Sequence, residues 1–185
     1  MRLGVFGGAF DPPHIGHLVV AQEARHQLRL DRLLVVPTGV PPHRDFPATP
    51  PLLRYEMART AFLDEPDTEV SSIEIDREGK SYTVDTLRAL AGPGTELFLV
   101  VGGDQYAELG TWREPHDLRD LATVVVAARP GSLDGIADGD VLLASPLIEL
   151  SSSELRRRIH EGKPVAHLIP ASVIELIGAE RLYVR

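Results

Sequence analysis

The chain has no cysteine and no asparagine, two methionines and a single tryptophan among 185 residues. Without cysteine there can be no disulfide, no thiolate nucleophile and no cysteine-ligated metal centre. Lysine is confined to Lys80 and Lys163, so arginine carries nearly all the positive charge. Scarcity of thermolabile residues fits a heat-adapted source; a G+C-rich genome gives much the same bias, and both readings stand. No apolar run nears the roughly 20 residues a membrane-crossing helix requires. The first residues lack the basic stretch and apolar core of a secretory leader. These absences predict a cytoplasmic protein with no membrane partner. The net charge of −8 excludes a broadly basic surface, so nucleic acid is not an expected partner. A small anionic ligand is not excluded, since it needs only a local positive pocket.

What is present is the length and patterning of one folded domain, residues 1–185. Short β-rich runs recur at Leu3–Phe6, Leu33–Val36, Val70–Ile75, Leu97–Val101, Thr123–Ala127 and Val141–Ala144. Helical patterns lie between them, the first placing Leu18, Ala21, Ala24 and Leu28 on one face. Others run over about Leu53–Leu63, Val84–Leu90, Asp104–Leu109 and Pro115–Leu121. Strand and helix in alternation predict an α/β fold: a doubly wound, mostly parallel, Rossmann-like sheet with helices on both faces. Two short helices close the chain, from Ser151 to about Glu161 and from about Ala171 to Gly178. The proline-dense stretch Pro37–Pro51 reads as a stiff loop over the carboxyl edge of the sheet, where such folds bind ligands.

The first apolar run leads into Gly7-Gly8-Ala9-Phe10-Asp11-Pro12-Pro13-His14-Ile15-Gly16-His17 and then a helix. Glycines at a strand-to-helix turn let backbone N–H groups approach a phosphate, and the helix start adds partial positive charge. His14 and His17, three apart, share one side of the first helical turn. They fit three roles: metal ligands, for which no third partner is at hand; purely structural side chains; or hydrogen-bond donors to phosphate. Near the other end, Ser151-Ser152-Ser153-Glu154-Leu155-Arg156 has capping-box spacing. It is either a plain capped helix or an anion site in which Arg156, one turn in, offers a forked donor. Arg158 projects about 200° from Arg156 and is not expected to share its phosphate.

These two segments resemble the paired motifs of the nucleotidyltransferase superfamily, H-x-G-H and (I/V)-S-S-T-x-x-R, at opposite ends of the chain as in that superfamily. Further stretches resemble the bacterial nicotinate-nucleotide adenylyltransferases. They are Pro41-Pro42-His43-Arg44, Ser81-Tyr82-Thr83-x-Asp85-Thr86-Leu87, Gly103-Asp104 followed by Trp112, and Arg129-Pro130-Gly131. The resemblance spans Leu3 to Tyr183. It implies adenylyl transfer from ATP to nicotinate mononucleotide, giving nicotinate adenine dinucleotide and pyrophosphate. It implies His14, His17 and Arg156 as catalytic. ATP would lie on Gly7, Gly8, Ala9, Phe10, His14, His17, Gly102, Asp104, Ser151, Ser152, Ser153 and Arg156. The mononucleotide would lie on Arg44, Ser81, Tyr82, Thr83 and Trp112. Mg²⁺ would ride on the ATP phosphates, with no metal-ligating residue from the protein. Taken alone, a lone tryptophan such as Trp112 is more often a core residue than a ligand contact, its small and polar neighbours favour a partly exposed ring, and Ser81 and Asp104 also read as helix caps. Ala9 departs from the family's Thr or Ser, and Ser153 from its Thr. Rival readings are the same fold acting on nicotinamide mononucleotide or another phosphate acceptor, and a non-catalytic ATP sensor. A homo-oligomer is neither required nor excluded.

Overall fold

The computed structural model describes residues 1–42, 49–127, 136–146 and 148–184. Six strands alternate with helices: β1 (Arg2–Gly8), α1 (Ile15–Leu28), β2 (Arg32–Pro37), α2 (Pro51–Ala61), β3 (Thr68–Val70), α3 (Thr83–Leu90) and β4 (Glu96–Gly102). There follow α4 (Gly103–Glu108), α5 (Pro115–Leu121), β5 (Ala122–Ala127), β6 (Val141–Leu142), α6 (Ser152–His160) and α7 (Ala171–Ala179). The sheet order is β3-β2-β1-β4-β5-β6 and every neighbouring pair is parallel. Chain order reverses between β1 and β4, which opens a crevice at their carboxyl ends.

The period-2 alternation of the strands explains why their sequences are apolar throughout. In β4, Leu97, Leu99 and Val101 enter one core with Val84 and Leu87 of α3 and Leu118 of α5. Phe98 and Val100 enter the opposite core with Ala21, Ala24 and Leu28 of α1 and Ala58 of α2. Both faces are buried, so an alternating polar pattern has no place. Leu18 packs at the margin of the second core, completing the face read from the sequence. A third cluster joins Met57 of α2, Leu155 of α6 and Val173 and Ile177 of α7 with Ile169. That cluster, together with the bond from the Ile15 amide to the Leu168 carbonyl at 3.0 Å, carries the C-terminal helices back to the start of α1.

Two strands are shorter than their apolar runs suggest: β6 ends at Leu142, before Leu143 and Ala144, and β3 is cut further. β3 stops at Val70, and residues 71–75, expected to continue it, form a turn. The Ile75 and Asp76 amides both donate to the Ser72 carbonyl at 2.8 Å. The Ser72 hydroxyl donates to Asp76 at 2.6 Å, and the Ser71 hydroxyl accepts from the Ile73 amide. Local serine bonds of this kind compete with a strand ladder. Within the proline-dense loop, His43 and Arg44 lie outside the described residues, as does Arg129-Pro130-Gly131.

Candidate active site

The crevice at the β1/β4 switch is a cavity of about 1120 Å³. Its floor is the end of β1, Gly7 and Gly8, with Ala9 in the turn that follows. His14 is the N-cap of α1, in extended backbone conformation, and His17 sits one turn on. The His14 amide donates to Nδ1 of His17 at 3.1 Å. The two imidazoles stack with centroids 3.8 Å apart. A Cβ on Gly16 would lie 3.0 Å from Cε1 and Nδ1 of the His14 ring, so the glycine between the histidines gives that ring its space. Burial holds His14 down to about pKa 4. Burial, and then the neighbouring His14, push His17 well below its ordinary value. Both rings are therefore neutral at pH 7. With Nδ1 accepting, the proton of His17 sits on Nε2, the donor left for a ligand.

The Phe10 ring is buried among Phe6, Phe62 and His17, its centroid 5.0 Å from the imidazole. Its side chain props His17; any contact it makes with a nucleotide would be through the backbone.

The start of α6 faces the same cavity, with Ser151, Ser152, Ser153 and Arg156 on its wall. Of the three hydroxyls, expected from the sequence as a set of phosphate donors, one has its proton engaged within the protein. Ser151 accepts from the Glu154 amide at 3.2 Å, as a cap. Ser152 donates to the Pro12 carbonyl at 2.9 Å. Ser153 accepts from Nη2 of Arg156 at 3.2 Å. Open to an anion are the O–H protons of Ser151 and Ser153, whose oxygens only accept in these bonds, and the first-turn amides of Ser152 and Ser153, which have no intrahelical partner. Arg156 also donates through Nη1 to the Asp11 carbonyl at 2.7 Å, and lies 3.9 Å from Oδ2 of Asp11. A residue near each end of the chain thus holds the other in place, and guanidinium and imidazoles border one space. Arg158 instead bonds the Pro164 carbonyl.

The remaining wall comes from the ends of β2 and β4. Gly102 and Asp104 bracket the start of α4, where the Gly102 amide donates to Oε1 of Gln105 at 3.1 Å. Ser81, Tyr82 and Thr83 begin α3 and line the cavity. Ser81 is pinned: its amide donates to the Val40 carbonyl and its hydroxyl accepts from the Val40 amide. Trp112, half-buried against the same first core as Tyr82, also lines the cavity. Beside it, the Arg113 guanidinium lies 4.6 Å over the Tyr82 ring, a cation–π contact joining the two segments. Of the residues expected at the site, Arg44 alone lies outside the described ones; the rest border a single cavity. Among the described residues no cluster of three or more His, Cys, Asp or Glu is arranged to hold a metal ion.

Three side chains at this edge were not singled out from the sequence. Glu74 is buried; the Thr86 hydroxyl donates to it at 2.9 Å, and burial raises its carboxyl. Tyr183, beyond the last helix, donates to Oδ1 of Asp11 at 2.5 Å and accepts from the Thr49 hydroxyl at 3.1 Å. Arg54, only 1 % exposed, sits on the buried stripe of α2 with Met57 and Ala58. An arginine on an apolar helical stripe is a readable signal. A tyrosine after the last helix is not.

Residues 5–158 match the family model described as cytidylyltransferase-like. A Thermus thermophilus protein named probable nicotinate-nucleotide adenylyltransferase is 44% identical over 186 residues, covering 99% of this chain and 100% of that one. One of the same name from Exiguobacterium sibiricum is 41% identical over 187 residues, covering 99% of each chain. Among solved structures, Plasmodium falciparum nicotinic acid mononucleotide adenylyltransferase complexed with NaAD superposes with a TM-score of 0.84. It is 18% identical and the match covers 98% of this chain and 97% of that one, a likeness of fold.

Proposed function

The chain belongs to the cytidylyltransferase-like family and to its nicotinate-nucleotide adenylyltransferases, and from that premise we propose how its residues carry out adenylyl transfer in NAD biosynthesis. A 5′-phosphate oxygen of nicotinate mononucleotide attacks the α-phosphorus of ATP. The bond from that phosphorus to the bridging oxygen of the β-phosphate breaks, and pyrophosphate leaves. The nucleophile is already an anion at pH 7, so no general base is required. Catalysis consists of alignment and stabilisation of charge.

The single observation that carries this reading is the stacked histidine pair beside the α6 start, in the crevice at the β1/β4 switch. His17 offers its Nε2–H, the amides of Ser152 and Ser153 head α6, and Arg156 supplies fixed positive charge. Together they suit a triphosphate whose leaving group gains charge as the bond breaks. Neutral imidazoles donate without a proton having to be lost or gained. Gly102 and Asp104 would receive the adenosine. The start of α3, together with Trp112, would receive the pyridine ring. Backbone donors at Tyr82 and Thr83 suit a ring carboxylate better than an amide. Arg44 would be a further contact for the mononucleotide phosphate. Mg²⁺ would come with the ATP phosphates, where it would neutralise charge and keep most of its waters.

The test is pyrophosphate release with ATP and Mg²⁺, comparing nicotinate and nicotinamide mononucleotides. We expect turnover with a preference for the acid. Equal rates would defeat the assignment of the α3 start as a carboxylate site. No pyrophosphate with either would defeat the reaction.

A further inference from the structure

The guanidinium of Arg54 is buried beneath the cavity edge and, among the described residues, bonds only main-chain carbonyls. Nε donates to Thr49 at 3.1 Å, and Nη1 to Ala9 at 2.8 Å. Nη2 donates to both Thr38 at 2.5 Å and Gly39 at 3.1 Å. Ala9 belongs to the turn after β1, on the ATP side. Thr38 and Gly39 belong to the turn after β2, which runs on to Pro41 and Pro42 in the opposite wall. Gly39 in turn backs onto the acceptor side. A Cβ there would stand 2.2 Å from the Glu74 carbonyl oxygen and 2.8 Å from the Ser81 hydroxyl. One planar group therefore spans the two halves between which the adenylyl group must pass. Burial lowers the pKa of this guanidinium, and the nearby Asp11, Tyr183 and Glu74 offset that in part.

We propose that Arg54 is a positioning residue for adenylyl transfer: it touches neither substrate, and it sets the register between the ATP turn and the acceptor wall. The proposal rests on the reaction assigned above. Its chemistry is specific to arginine. Four of the five N–H groups of a guanidinium point in fixed, divergent directions to carbonyls of three separate segments. A lysine ammonium concentrates its donors at one point and cannot span them. Each half-site would keep its own ligand contacts in the absence of Arg54. What would be lost is their alignment, and a displacement near 1 Å can cost on the order of a hundredfold in rate. A residue serving stability alone would lower the unfolding temperature and leave kcat of the folded enzyme intact.

The experiment measures kcat and KM for MgATP and nicotinate mononucleotide in wild type, Arg54→Lys and Arg54→Ala, below the unfolding temperature of each. We expect kcat to fall by roughly 30- to 100-fold with KM values within about threefold of wild type. Added methylguanidinium should restore at least part of the loss in Arg54→Ala, and methylammonium none. Should Arg54→Ala not fold, Arg54→Lys decides alone. A folded Arg54→Lys with wild-type kcat, or a loss confined to KM, overturns the proposal. Wild type lacking turnover with either mononucleotide would fell the reaction assignment and this proposal together; an active wild type with an equally active variant fells only the role of Arg54.

Discussion

The amide of His14 donates to Nδ1 of His17 at 3.1 Å, so the cap of α1 fixes the tautomer of the residue one turn below it. The amide of a helix's cap residue is normally received by a Glu or Gln side chain at the third helical position. Here an imidazole does so and keeps Nε2–H for the cavity. His17→Ala removes that donor, and Arg156→Ala removes the facing charge and the bond that holds Asp11. Each should lower turnover by roughly a hundredfold or more in a pyrophosphate-release assay. Unchanged turnover in either would contradict the roles assigned to them.

Gly16 tests the geometry without touching a donor. Its missing Cβ is 3.0 Å from two atoms of the His14 ring, tighter than such contacts tolerate without adjustment. Gly16→Ala should displace that ring and cost about tenfold in kcat. The unfolding temperature should move little, because alanine is the better helix former. Thermal melts alongside kinetics separate the two effects.

Acid sensitivity follows from His14. Its pKa is lowered by burial from 6.5 to about 4. Between those values the unfolded chain binds a proton that the folded chain refuses. The stability contribution is therefore whole above pH 6.5 and is lost as pH falls toward 4. The slope for this one group approaches ~1.4 kcal/mol per pH unit; His17 acts in the same direction. Chemical denaturation from pH 6.5 to 5 should show a shallower loss in His14→Gln than in wild type. Parallel curves would mean that the imidazole is not held neutral.

Tyr183 and Asp11 are 172 residues apart and share a 2.5 Å bond. Tyr183→Phe leaves a buried carboxylate short of its donor, at a cost of about 1–3 kcal/mol. For a chain of this size that is a drop of roughly 2–12 °C in unfolding temperature. Calorimetry would show it, and a melt equal to wild type would refute it.

Much of this molecule is legible in its sequence because local physics already specifies it. Apolar runs without alternation demand strands covered on both faces, and Leu97–Val101 is such a run. A Ser-x-x-Glu pattern demands a helix start, and Ser151 caps one. Gly-Gly after a strand, followed by His-x-Gly-His, marks a turn feeding a helix, and the stacked pair is found there. Where local signals compete, the reading fails: serine hydroxyls at 71 and 72 take the chain out of β3 early.

Only the tertiary structure decided which donors are free. Nothing in the order of residues says that the Ser152 hydroxyl is spent on the Pro12 carbonyl while those of Ser151 and Ser153 only accept, or that Phe10 turns its ring inward. Nor does it say that Arg54 would find its carbonyl partners in three separate segments. Strand and helix are chosen by neighbours in sequence, through backbone geometry and side-chain period. Partners for a buried polar group are chosen by whatever the folded chain brings within about 3 Å, and a buried donor must accept what is there.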